Sequence, residues 1–341
     1  MRVLITGSAG FVGSHLVDHL LQNTDWDIIG IDSFKHRGDA IRVVDNSRYK
    51  IICSDLSAPI SARIMGQIGD VDYVINMASE SHVDRSIEDP VSFIQNNVNL
   101  ALHVFEACRV WKPKHIVQIS TDEVYGPAPE GKDHTEWSEI LPSNPYSASK
   151  ASQEAIAISY WRTYGLPITI TNTMNMIGER QDPEKYVPKI ISAVVNGKLL
   201  TVHGNRSYIG KRHYLHARNH ADALLYLLEN TEPSLYTDSS NEGFGLYGYN
   251  EIVPKPSRYN IVGDVELNNL EIAKWVAEFV GKPLNFELVD FHAMTTRPGH
   301  DRRYSLCGKK LRDLGWNAPV SLYQSLENTV KWYLDNPHWL R

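Results

Sequence analysis

The sequence predicts an α/β fold, a doubly wound parallel sheet with a smaller α/β unit after it. Three observations carry this. Short apolar runs alternate with helix-period segments over roughly the first 165 residues. The first of these runs passes into a loop with glycines at positions 7, 10 and 13, and a helical pattern follows. After Thr171 the alternation weakens, and Pro, Gly, Arg and Tyr become frequent.

Residues 3–6, 27–31, 49–53, 73–77, 115–119 and 168–171 read as buried strands. Between them, residues 13–22 and 91–110 repeat at helical spacing. Another helix begins after Asn144, where Pro145 suits the first turn, and Gly165 with Pro167 closes it. In the second half, residues 186–195, 217–229, 270–280 and 322–336 read as helices. Residues 232–257 are rich in Ser, Gly, Tyr, Asn and Pro and read as a long excursion. The expected division is 1–171 for a cofactor unit and 172–341 mainly for a substrate unit, with some chain returning to the first. A parallel sheet of this kind binds ligands beyond the carboxyl ends of its strands.

Composition excludes several function classes. The 341 residues are 42% hydrophobic and 22% charged, which argues against disorder. The net charge of −6 exerts no general pull on nucleic acid or an acidic membrane. Cys53, Cys108 and Cys307 are scattered, without the spacing of a disulfide framework or a zinc site. His213 and His216 stand three apart with no carboxylate cluster beside them, so no metal is expected. The first apolar run is too short for a signal peptide, and no stretch approaches the roughly 18 apolar residues of a membrane span. The expected location is the cytoplasm.

Gly7, Gly10 and Gly13 open the helix that follows the first strand, which suits close approach of a pyrophosphate to a helix N-terminus. Asp32 follows the second run directly and suits the ribose hydroxyls of NAD, while Arg37 nearby keeps NADP as an alternative. Asp55 has two readings, a contact to adenine or a turn cap. Tyr146 and Lys150, four apart, share a helical face. An ammonium beside a phenol lowers its pKa and makes a proton acceptor for an alcohol under oxidation. Asp122-Glu123 leaves the fifth run at the carboxyl edge of the sheet. Adjacent carboxylates, partly buried, give an acid beside a base, as elimination of water requires; a solvated turn is the other reading.

These residues carry a family resemblance. The chain resembles the extended short-chain dehydrogenase/reductases, and most closely their nucleotide-sugar 4,6-dehydratase branch, over nearly its whole length. The resemblance rests on residues 6–13, Ala78-Ser79-Glu80-Ser81-His82-Val83-Asp84-Arg85-Ser86, residues 120–126, residues 146–150, Pro183-Glu184-Lys185 and residues 297–304. It implies a Rossmann-type sheet, NAD as cofactor and dehydration of a nucleoside-diphosphate hexose, dTDP-glucose first and UDP-glucose second.

The implied catalytic residues are Thr121, Asp122, Glu123, Tyr146 and Lys150. Those on the cofactor are Gly7, Gly10, Phe11, Val12, Gly13, Asp32, Ser33, Asp55, Leu56, Ala78, Ser79 and Asn96, with Tyr146 and Lys150. Those on the substrate are Ser81, Thr121, Asn175, Lys185, Tyr186, His203, Arg212, Asn269, Arg297 and His300.

A homodimer through two helices per subunit is also implied. The rival readings are a 4-epimerase or decarboxylase of the same family, which lack the full Asp-Glu pair, and a non-catalytic dinucleotide sensor, which has no need of it. The chain departs from the pattern at Asn175-Met176-Ile177-Gly178-Glu179, at His203 and His213, and in its long excursion. Those departures bear on the nucleobase rather than on the chemistry.

Overall fold

The first strand shows how the sheet is built: Val3 and Ile5 point to one face and Leu4 to the other, and all three are fully buried. In this computed structural model, which describes residues 1–35, 38–236, 253–290 and 299–341, such runs form parallel neighbours. They are β1 (Arg2–Thr6), β2 (Asp27–Asp32), β3 (Tyr49–Cys53), β4 (Tyr73–Asn76), β5 (His115–Thr121) and β6 (Ile168–Thr173). All six expected strands are present.

Three short strands follow, β7 (Asn175–Ile177), β8 (Leu200–His203) and β9 (Lys211–His216). Then β10 (Ser257–Ile261) returns to the main sheet beside β6, and was not foreseen. The seven strands run in the order β10-β6-β5-β4-β1-β2-β3, with every pairing parallel. Strand order therefore reverses between β1 and β4, the switch point where such sheets open a crevice. The remaining strands are β11 (Glu266–Asn268), β12 (Phe286–Val289) and β13 (Arg303–Tyr304). A four-stranded sheet joins β7, β9, β11 and β13, and β8 pairs with β12.

The helices are α1 (Phe11–Asn23), α2 (Ala62–Ile68), α3 (Val83–Glu88), α4 (Pro90–Trp111), α5 (Pro145–Tyr164), α6 (Tyr186–Val195), α7 (Ala217–Asn230), α8 (Asn269–Val280), α9 (Lys309–Asp313) and α10 (Leu322–Asp335). One face of the main sheet is covered by Leu16, Val17 and Leu20 of α1 and by Leu224, Leu227 and Leu228 of α7. The other is covered by Val104 and Phe105 of α4 and by Ala157 and Trp161 of α5. A separate core joins α6, α8, α10 and β8. The expected excursion falls largely on residues 237–252, outside the described residues.

Helix ends follow their caps. On α5, Asn144 accepts from Ser147 N while Ser147 Oγ is hydrogen-bonded to Asn144 N, Pro145 takes the first turn, and Gly165 closes the helix at φ 64°. This fixes where Tyr146 and Lys150 enter the cleft. Among the described residues no helix is long and apolar enough to cross a membrane.

Candidate active site

At the carboxyl end of β1 the chain turns with Gly7 at φ +73°, and a Cβ there would stand 3.1 Å from Ala78 Cα. At Gly13 a Cβ would lie only 2.1 Å from the Gly7 carbonyl oxygen, so glycine alone lets α1 start this close to the loop. Gly10 caps α1 without a side chain, which leaves the helix's positive end and first N–H groups available to an anion. Asp32 ties the loop to β2: Oδ2 accepts from Ala9 N at 3.0 Å and Oδ1 from Phe34 N at 3.0 Å.

Asp55 accepts from Lys35 Nζ and, at 2.8 Å, from Ser57 N. The lysine holds this carboxyl down at about 2. Asp55 thus caps a turn and also lines the crevice.

That crevice is a cleft of about 500 Å³. Gly7, Gly10, Phe11, Val12, Gly13, Asp32, Ser33, Asp55, Leu56, Ala78, Ser79 and Asn96 all lie on its wall, together with Thr121, Asp122, Glu123, Tyr146 and Lys150. The close glycines, the uncapped helix end and the carboxylate at the end of β2 fit a dinucleotide.

Thr121 ends β5, and residues 122–125 make one tight turn closed by Gly126 at φ +71°. A Cβ at Gly126 would meet Leu141 O at 2.2 Å. Thr121 Oγ1 donates to Asp122 Oδ1 at 2.9 Å and accepts from Glu123 N at 3.3 Å. Asp122 is 3% exposed, and its Oδ2 has no hydrogen-bond partner among the described residues.

Burial, and then the charge of Glu123, push Asp122 up to about 7. Burial raises Glu123 as well, opposed by the Asn144 amide, whose Nδ2 donates to Oε2 at 3.2 Å, and by the charge of Arg212. Near neutrality the turn therefore offers a proton donor beside a proton acceptor.

Tyr146 and Lys150 do not behave as the i, i+4 reading expects. The Lys150 ammonium donates to Ile119 O at 2.8 Å and to Gln153 Oε1 at 2.6 Å. Burial, and then the Glu123 charge, push the Tyr146 hydroxyl above the usual phenol range, against a hydrogen bond from Thr121. The charge of Asp122 raises the phenol as well. Burial also lowers Lys150 to about 8, opposed by the charge of Glu154.

In the same cleft the structure brings together Ser81, Asn175, Lys185, Tyr186, Arg212 and His300. Lys185 Nζ donates to Ser81 O at 3.3 Å, and His300 Nε2 lies 3.1 Å from Asp84 Oδ1. Arg212 stacks 5.3 Å over the Tyr304 ring. His203 and Asn269 do not line this cleft. His203 ends β8 in register with Val289, and Asn269 lies behind Tyr186, whose hydroxyl donates to Asn269 O at 2.8 Å. Arg297 and Arg37 fall outside the described residues.

The cleft also carries Glu80, His82, Arg85, Glu184 and Tyr304, which had no assigned role. Their signal was present in residues 78–86, 183–185 and 297–304, blocks recognisable as motifs without individual functions. Among the described residues no group of three or more His, Cys, Asp or Glu is placed to hold a metal ion.

The model of the NAD dependent epimerase/dehydratase family matches residues 3–237. The chain belongs to this family. Membership in an NAD-dependent family agrees with Asp32 at the end of β2 and with the choice of NAD. The family member is 35% identical to dTDP-glucose 4,6-dehydratase 1 of Escherichia coli K12, an alignment covering 100% of this chain and 94% of the relative. It superposes on a dTDP-glucose 4,6-dehydratase from Streptomyces venezuelae solved with NAD, with a TM-score of 0.84, 30% identity and coverage of 99% and 98%. A Thermus thermophilus UDP-glucose 4-epimerase in complex with NAD gives a TM-score of 0.82 at 27% identity, covering 98% and 99%. Dehydratases and epimerases thus share the fold, and side chains must separate them.

Proposed function

We propose that this family member dehydrates dTDP-glucose to its 4-keto-6-deoxy product. The observation that carries the reading is the Asp122–Glu123 pair, the aspartate buried and the glutamate partly so, in the same cleft as Tyr146 and Lys150. A 4-epimerase has no use for an acid and a base side by side, since it neither breaks a C–O bond nor moves a C5 proton.

NAD, when bound along the Gly7–Gly13 loop, supplies the acceptor for the hydride leaving C4 and the donor that returns it to C6. In its phenolate form Tyr146 takes the proton of the C4 hydroxyl, with Thr121 beside it and the Lys150 ammonium favouring that form. The resulting ketone acidifies the C5 hydrogen. Glu123 removes that proton, Asp122 gives one to the C6 hydroxyl, and water leaves. Glu123 then returns a proton to C5 as C6 is reduced. C4 loses the two electrons that C6 gains, so no external reductant is needed.

Arg212 and Lys185 suit the diphosphate, because a guanidinium pairs with two phosphate oxygens at once and an ammonium supplies a point charge. We also propose a homodimer through α4 and α5, which leave Val91, Val110 and Tyr164 exposed. A cytoplasmic location is supported by three free cysteines.

The test is incubation with dTDP-glucose in deuterated water. The expected product has lost one water and carries deuterium at C5. Recovery of a hexose of unchanged mass, inverted at C4, would assign an epimerase instead. In the same assay Glu123→Gln should stall after C4 oxidation, whereas unimpaired turnover removes its role.

A further inference from the structure

Beneath the cleft floor five side chains form one unbroken hydrogen-bonded line. Thr6 at the end of β1 donates through Oγ1 to Asn76 Oδ1 at 2.8 Å. Asn76 Nδ2 donates to Gln118 Oε1 at 2.7 Å, and Gln118 Nε2 donates to Gln153 Oε1 at 3.2 Å. Lys150 Nζ donates to that same oxygen at 2.6 Å. The line crosses β1, β4 and β5 and ends on α5, and none of its members is more than 3% exposed.

Its polarity is determined at both ends. An ammonium only donates, so Gln153 must present oxygen to Lys150. Gln153 Nε2 then meets the Asn97 carbonyl at 2.6 Å, and Gln118 must present its N–H to the shared oxygen. At the far end Thr6 Oγ1 accepts from Met77 N and Ala78 N, each at 3.0 Å. Ala78 is the residue against which Gly7 packs. Three amides buried across an apolar sheet are costly unless every group is satisfied, and here every one is.

We propose that Gln153 is the positioning residue for the Lys150 ammonium, its oxygen held in place by the Thr6–Asn76–Gln118 line that also shapes the dinucleotide loop. The bearing of this on catalysis rests on the reading of Lys150 as part of the oxidising pair. The other charged and titratable groups around Lys150 are Glu154 on its own helix, held by Arg258 of β10 at 2.6 Å, the phenol of Tyr146, and Asp122 and Glu123 after β5. None of these is altered by a change at Gln153, so the amide's contribution can be isolated.

The experiment titrates Lys150 directly in the full chain without substrate. The readout is the 13Cε resonance of labelled lysine, assigned by its disappearance in Lys150→Arg. Gln153→Leu removes the acceptor and should lower the Lys150 midpoint by about one pH unit; Gln153→Glu substitutes an anion and should raise it by about as much. Gln118→Leu, which releases the Gln153 amide, should shift it in the same direction as Gln153→Leu. A midpoint unchanged in both Gln153 variants overturns the proposal. If Gln153→Leu does not fold, a midpoint unmoved or lowered in Gln153→Glu overturns it alone. Opposite shifts in a chain that fails to dehydrate dTDP-glucose support the positioning role while refuting the functional reading.

Discussion

Replacing Asp122 with Asn should make the protein more stable and less able to eliminate water. The two side chains are nearly isosteric, and the Thr121 Oγ1 bond to Oδ1 at 2.9 Å survives the change. What disappears is a charge that burial and Glu123 both oppose, raising the carboxyl from 3.8 to about 7. That rise spans roughly three pH units, each worth about 1.36 kcal/mol, so ionised Asp122 costs the fold roughly 4 kcal/mol. Because the folded value is raised, the native chain has its full stability below pH 4 and loses it progressively as pH climbs through 7. The variant has no such dependence at this site.

Urea unfolding of both proteins from pH 4 to 8.5 should show the gap opening from near zero to a few kcal/mol in favour of Asn. The orphaned Oδ2 becomes an equally orphaned N–H2, which trims the gain. A stability difference that stays constant across this range would refute the argument. So would full dehydratase turnover by the variant, since an amide N–H is too weak an acid to protonate the C6 hydroxyl.

The loop and the buried network make further predictions. Gly13→Ala forces a Cβ to within 2.1 Å of the Gly7 carbonyl, so NAD affinity should drop at least tenfold by calorimetric titration. Gly66→Ala, in exposed α2 with nothing within 4 Å, should leave NAD binding alone and gain about 0.5–1 kcal/mol in urea. Glu154→Leu strands Arg258 in the core and should lower stability by about 3–5 kcal/mol, most of it restored by a second change, Arg258→Met.

Features that depend on short spacings were legible in the sequence. The glycines at 7, 10 and 13, the adjacent carboxylates and the Tyr146/Lys150 pair each act over a few residues, and the structure sets all of them around one cleft. β10 was invisible because Ser-Arg-Tyr-Asn-Ile is not an apolar run. Arg258 and Asn260 are buried against distant partners: Glu154 at 2.6 Å for the arginine, and the carbonyls of His134 and Cys307 for the amide N–H2. No hydropathy rule anticipates a pairing across 104 residues. The same limit explains Tyr146, whose hydroxyl is raised by burial and by the charges of the turn after β5. His203 and Asn269 were assigned by resemblance; in the structure His203 ends a strand paired with β12, and Asn269 O accepts from the hydroxyl of the cleft residue Tyr186.

The return of the chain to its first sheet governs how this molecule is made. β10 completes the edge beyond β6, and α7 supplies half the cover of one face. A nascent chain that has emerged only as far as residue 171 would therefore expose the bare hydrogen-bonding rim of β6 and an uncovered patch around Ile5, Val117 and Ile119. The sheet that carries the dinucleotide crevice is fully covered only when residues after 217 have docked, so this protein should depend on chaperone shielding until late in translation, and a fragment ending near 171 should aggregate.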